Sequence, residues 1–199
     1  MDLKAVTEEG KSVILHTDGT WEYSKELSTQ SGAAFRKTTW GMSKEQVREI
    51  EGLGTVHESS NALIYPGSIA GLQCHIVYVF ALNRLVRGKY AITEQHSNAN
   101  HFLMDFESLK EALTAKYGKP QQDDMHWLDN TYRTDYQDWG LAVSMGHCSR
   151  FSKWRLSGTD IVLFLTGDNY EINLGVEYAS QALSHLEDQE NASRNLEDL

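Results

Sequence analysis

Between Gly71 and Ala81 apolar side chains recur at every second position. Leu72, Cys74, Ile76, Tyr78 and Phe80 share one face, while Gln73, His75, Val77, Val79 and Ala81 turn from polar to apolar along the other. A period of two is the signature of a pleated strand, and one that is apolar on both faces toward its end belongs near the centre of a sheet. Its neighbours are legible on both sides. Ala62 to Tyr65 reads as a short strand stopped at Pro66, which has no N–H for a ladder. Asn83-Arg84 turns the chain into a strand from Leu85 to Ile92, interrupted by Gly88.

Two helices accompany this sheet. Ser43 and Gln46 have the spacing of a capping box, with Met42 and Val47 as the hydrophobic staple around it. Val47, Ile50 and Leu53 continue an apolar face to a stop at Gly52, so a short helix begins at Lys44 and needs a surface to lie on. Asn98 is a suitable N-cap for a longer helix through Tyr117, whose Phe102, Phe106, Leu109, Leu113 and Tyr117 follow the helical period. Gly118 and Pro120 end it, the former as an αL stop.

Gln121 to Asp138 is an Asp-rich passage holding Trp127, with a strand near Tyr132, and Trp139 to Met145 is expected as a further strand. Phe151 to Leu156, Asp160 to Thr166 and Glu171 to Ala179 then form a meander, turned at Ser157-Gly158 and Gly167-Asp168-Asn169. At the other end of the chain, LKAV, SVILH and WEY are three strand-like runs separated by Gly10 and by Asp18-Gly19. They predict a small β-meander in which Val13, Leu15, Trp21 and Tyr23 can cover a core. The expected organisation is therefore a meander over 1–25, a linker over 26–34, a main domain over 35–182 and an acidic tail over 183–199. The fold class is α+β: an N-terminal β-meander followed by two helix-then-antiparallel-strands repeats, with the helices packed on one face of the sheet.

Composition narrows the function classes. A chain of 199 residues, 40% hydrophobic, can bury a sizeable core. Its formal charge of −10 and lack of clustered Lys and Arg argue against nucleic acid. No apolar run is long enough to span a membrane. Met1-Asp2-Leu3-Lys4 leads into polar sequence, which predicts a cytoplasmic protein as given, or a cell-envelope or periplasmic one if a leader has been trimmed. Cys74 and Cys148 could pair in an oxidising compartment or stay as buried thiols.

The run Trp40-Gly41-Met42-Ser43 through Val47, followed by strands at Ala62 and Gly71, resembles the helix-then-sheet modules of small bacterial envelope lipoproteins. The nearest comparison is the BamE (SmpA/OmlA) family, together with folds similar to the β-lactamase inhibitor protein. Lys116-Tyr117-Gly118-Lys119-Pro120, and Trp154 with Thr159, Ile161 and Leu163, resemble the second half of bacterial proteins built the same way, and Asp18-Gly19-Thr20-Trp21 an N-terminal element found on many of them. The resemblance implies a binding or assembly module, not an enzyme. The lipobox cysteine of the lipoproteins is not evident near the start.

Residues with chemistry to offer do not fall into a catalytic pattern. His96 and His101 flank a helix start, and His126 lies near Asp123, Asp124 and Asp129. Neither group has a zinc-type spacing or the glycine and terminal glutamate of a calcium loop, so no metal and no cofactor is expected. His147-Cys148 would point to opposite faces of a strand. Trp40 and Trp154 read as core. Trp127, Tyr132 and Trp139 are the expected interaction surface, since aromatic side chains are enriched at interfaces. The functional expectation is a non-catalytic interaction or assembly module with a protein or peptide partner, its oligomeric state open. The alternative is a small-ligand binder or enzyme with a pocket between the two repeats.

Overall fold

The computed structural model describes residues 3–6, 12–16, 20–23, 34–52, 54 and 57–190. The chain divides into two compact units, Met1–Ala33 and Ala34–Leu199. In the first, β1 (Leu3–Val6), β2 (Ser12–Leu15) and β3 (Trp21–Tyr23) form an antiparallel meander with Leu3 opposite Leu15 and Leu15 opposite Trp21. The side chains expected to cover its core, the linker over 26–33 and the tail from 191 onward lie outside the described residues.

The second unit is α+β and holds α1 (Lys44–Glu51), β4 (His57–Glu58), β5 (Ala62–Ile69), β6 (Leu72–Ala81), β7 (Arg84–Ile92), α2 (Asn100–Tyr117), β8 (Gln122–Trp127), α3 (Trp139–Ser144), β9 (Cys148–Leu156), β10 (Thr159–Asp168) and β11 (Glu171–Ser180). The eight strands from β4 onward make one antiparallel sheet in the order β4-β5-β6-β7-β11-β10-β9-β8. Two meanders therefore meet where β7 pairs with β11, with Tyr90 opposite Val176 and Gly88 opposite Tyr178. Following that register across the sheet puts Tyr65, Ile76, Tyr90, Val176, Leu163 and Ser152 on one face. Helices α1, α2 and α3 cover this face. Tyr78 of β6 donates to Glu51 of α1, Tyr117 of α2 bonds Tyr178 of β11, and the Val143 carbonyl of α3 sits against Gly167 of β10.

The capping box forms as its residues dictate: the Ser43 amide donates to Gln46 Oε1 at 2.9 Å, and the Ser43 hydroxyl accepts from the Gln46 amide. Gly52 then closes α1 in the left-handed conformation. On α2 the buried stripe is Leu103, Phe106, Leu109 and Leu113. Phe102, expected in that stripe, instead meets the His96 ring edge-on at 4.7 Å. Asn98 stands one residue further from the helix than a cap and accepts from the Asn100 amide. Gly118 ends α2 at φ 82°, ψ −173°, a region reserved to glycine and not the αL stop expected.

Three boundaries differ from expectation for identifiable reasons. β5 runs through Pro66 to Ile69, because among the described residues β4 covers only Leu63 and Ile64, and the missing N–H costs no ladder bond there. Trp139 to Ser144 is a helix, not a strand; a short apolar run fits either, and here contact with α2 decides. A methyl group on Gly140 would stand 2.3 Å from the Asn100 nitrogen, so only glycine lets the two helices approach this closely. The Asp-rich passage supplies strand β8 from Gln122 instead of near Tyr132, which sits in a turn. Asp123 faces the helices there, and its desolvation is offset by pairing with Lys110 at 3.0 Å and by a hydrogen bond accepted from Ser152 at 2.7 Å.

Cys74 on β6 and Cys148 on β9 are both buried and free. Four strand spacings separate them, roughly 19 Å, far beyond the reach of a disulfide. On the other face of the sheet Arg87 pairs with Glu177, and Lys89 lies 4.8 Å over the Phe164 ring. Residues 185–190 are helical; Leu183 and Leu186 pack on Ala81 and Val86, and Glu187 completes the pairing of Arg87 at 2.6 Å. Among the described residues no helix is long and apolar enough to cross a membrane.

Candidate functional site

Beside the outermost strand β8 a groove of about 560 Å³ opens between α2 and the loop that leads into α3. Leu103, Met104, Glu107 and Ser108 form one wall, Tyr136 and Trp139 the other, and Met125 and Arg150 the floor. Each wall is positioned by local chemistry. In the loop, Asp129 accepts from both the amide and the hydroxyl of Thr131, and Asp135 accepts from the Gln137 amide to start the 3-10 turn Tyr136–Asp138. Asn100, in the first turn of α2, then ties the two walls together. Its Nδ2 donates to the Gln137 carbonyl and its Oδ1 accepts from the Gly140 amide, both at 2.6 Å.

The aromatic wall is a small cluster. Trp139 meets Trp127 edge-on at 5.7 Å and Tyr136 at 4.9 Å, and its indole N–H donates to the Arg133 carbonyl. Of the three aromatic residues singled out in the sequence, Trp127 and Trp139 are thus in contact, whereas Tyr132 stacks on His147 at 6.0 Å. Of the eight residues lining the groove the sequence singled out only Trp139; the other seven, Met104 and Tyr136 among them, were missed. Met104 carried a signal, an apolar residue off the buried stripe of α2; Tyr136 carried none, because its role depends on where the loop is tied.

Charge on the floor is internally matched. Glu107 pairs with both Lys110 and Arg150, and Lys110 with Asp123. Burial alone would raise the Glu107 carboxyl, but hydrogen bonds from Lys110 and Arg150 hold it below the usual carboxylate range. Arg150 also lies 4.6 Å over the Phe106 ring, and its Nε is buried with no partner among the described residues.

The other chemistry-bearing residues are dispersed. His126 is exposed on β8, on the face away from Asp123, and among the described residues no three of His, Cys, Asp or Glu converge as metal ligands. His96 bonds Asp105 at 2.6 Å and meets His101 edge-on. Cys148 is in the core, where burial pushes its thiol up to about 11, while the His147 ring rests on Tyr132. A second cleft of about 550 Å³ lies along Gln121, Trp154 and Asp160 at the far end of β8, β9 and β10, and its Arg155 and Asp160 are paired with each other.

The chain matches no family model, no curated protein and no solved structure.

Proposed function

We propose that the chain is a non-catalytic interaction module that docks a peptide segment of a protein partner in the groove between α2 and the Tyr136–Trp139 wall. The observation that carries this reading is the pair of large apolar side chains held open across one groove, Met104 at 60% and Tyr136 at 62% exposure. Methionine and aromatic residues are enriched at interfaces, and these stand on backbone already fixed by Asn100, so docking costs them little ordering. The volume suits a few anchoring side chains. The ion pairs on the floor balance one another in charge, which leaves shape and apolar contact to provide most of the affinity there.

The architecture supports the same reading. We take α1 with β4 to β7, and α2 with β8 to β11, as two copies of one helix-plus-four-strand module joined at β7 and β11. On this reading the two copies correspond to the helix-then-sheet modules that the sequence of Trp40 to Val47 resembles. Selection of a random dodecapeptide library displayed on phage tests the proposal. Enriched sequences should carry an aromatic or aliphatic anchor and lose binding about tenfold or more with Met104→Glu, a change at an exposed position that leaves the core intact. No enrichment, or equal binding to the Met104→Glu protein, would overturn it.

A further inference from the structure

The two ends of the eight-stranded sheet are finished differently. At one end β4 is two residues long and β5 carries Pro66, two devices that blunt an edge. At the other, β8 pairs with β9 in unbroken register from Gln122 opposite Lys153 to Trp127 opposite Cys148. Its far edge pairs with no strand among the described residues. It holds neither proline nor bulge, so every second residue of its six presents a backbone donor and acceptor outward for another strand.

This edge and the groove are one continuous feature. Met125, whose side chain lies on the helix-covered face of β8, is part of the groove floor. A strand added beyond β8 would sit about 4.8 Å further out and direct alternate side chains between Met104 and Tyr136. Its other side chains would lie beside Asp124 and His126. The passage from Gln121 to Asp138 holds five aspartates against one arginine, Arg133. Asp123 is matched by Lys110, whereas Asp124, Asp129 and Asp135 are exposed and in no ion pair among the described residues. Resting on the docking reading above, we infer that the segment taken up is a basic, extended one that adds as a ninth strand to β8, with alternate apolar residues in the groove and alternate lysines or arginines on the opposite face, which carries Asp124 within this net-acidic passage.

The probe is a labelled, end-capped octapeptide of alternating valine and lysine, followed by fluorescence anisotropy against the full chain. Two N-methylated versions accompany it, one methylated at every valine and the other at every lysine. In a strand these two sets of amides point to opposite edges, so one version should lose binding about tenfold or more and the other should bind like the parent. The glutamate counterpart should not bind, and affinity should fall as salt rises. Equal binding of both methylated peptides would overturn strand addition while leaving the groove reading intact. Failure of the valine–lysine peptide, when library-selected peptides still bind in a Met104-dependent way, would overturn the basic, extended partner alone. Failure of both would remove the groove reading as well. Competition by unlabelled chain, with a dimer in sedimentation at the same concentrations, would overturn the proposal by making a second copy the occupant.

Discussion

The ring of Phe35 occupies the space where a side chain on Gly88 would stand: a methyl group there would lie 2.2 Å from Phe35 Cδ1. Gly88 is flanked in register by Tyr78 on β6 and Tyr178 on β11, and both of their rings lie 5.2 Å from that of Phe35. The glycine that interrupts an otherwise regular strand is thus the seat of the aromatic cluster at the seam of the two meanders. Gly88→Ala should cost about 1–3 kcal/mol by overpacking, read from urea denaturation. A midpoint equal to wild type would mean that Phe35 moves aside freely.

Phe106 is fully buried beneath α2, with the Arg150 guanidinium on its ring. Its truncation to alanine should remove about 3–5 kcal/mol, since it opens a cavity and also strips a half-buried cation of its aromatic support. Calorimetric or urea unfolding of the variant measures this directly.

Ser43→Ala should cost about 1 kcal/mol, because the hydroxyl that accepts from the Gln46 amide is lost while the backbone half of the capping box remains. The fall should appear in the denaturation midpoint with an unchanged slope, as the unfolded state is not altered.

Burial pushes the thiols of Cys74 and Cys148 up to about 11 from 9.0. Well below pH 9 both are neutral whether the chain is folded or not, so they leave stability unaffected there. Between pH 9 and 11 the unfolded chain releases thiol protons that the folded chain retains, and stability should fall as pH rises through this window. The double variant Cys74→Ala, Cys148→Ala should show a shallower fall in urea melts across the same range. In the native protein both thiols should resist a disulfide reagent at pH 8, reacting only after denaturant is added.

Removal of metal should leave the melting temperature where it is. An ion present at a hundred times its dissociation constant would contribute about 2.7 kcal/mol, which a melt in chelator detects readily. A chelator-induced drop abolished by His126→Ala would assign the aspartates near His126 a coordinating role.

Much of the sheet was legible because its information is local. Leu72 to Phe80 declare a strand by alternation, and Ser43 and Gln46 declare a helix start by side-chain reach. The errors came where distant residues decide. Asp123 reads as loop until Lys110 and Ser152 are beside it, and Trp139 to Ser144 reads as a strand until Gly140 meets the start of α2. Of the groove's lining, only Trp139 was legible. Met104 lies more than thirty residues from Tyr136, and Asn100, which holds the two walls together, looks in sequence like any polar residue in a first helical turn.

The joining of β7 to β11 also sets an order of events during synthesis. β7 is complete at Ile92, but its outer partner begins only at Glu171. At about 5–20 residues per second the ribosome takes roughly 4–16 s to cross that interval. For that time Tyr90 and Ile92 border an open strand edge, the kind of surface that recruits foreign strands. This edge is therefore one that the finished fold no longer shows, and its exposure lengthens with every pause in translating the second meander.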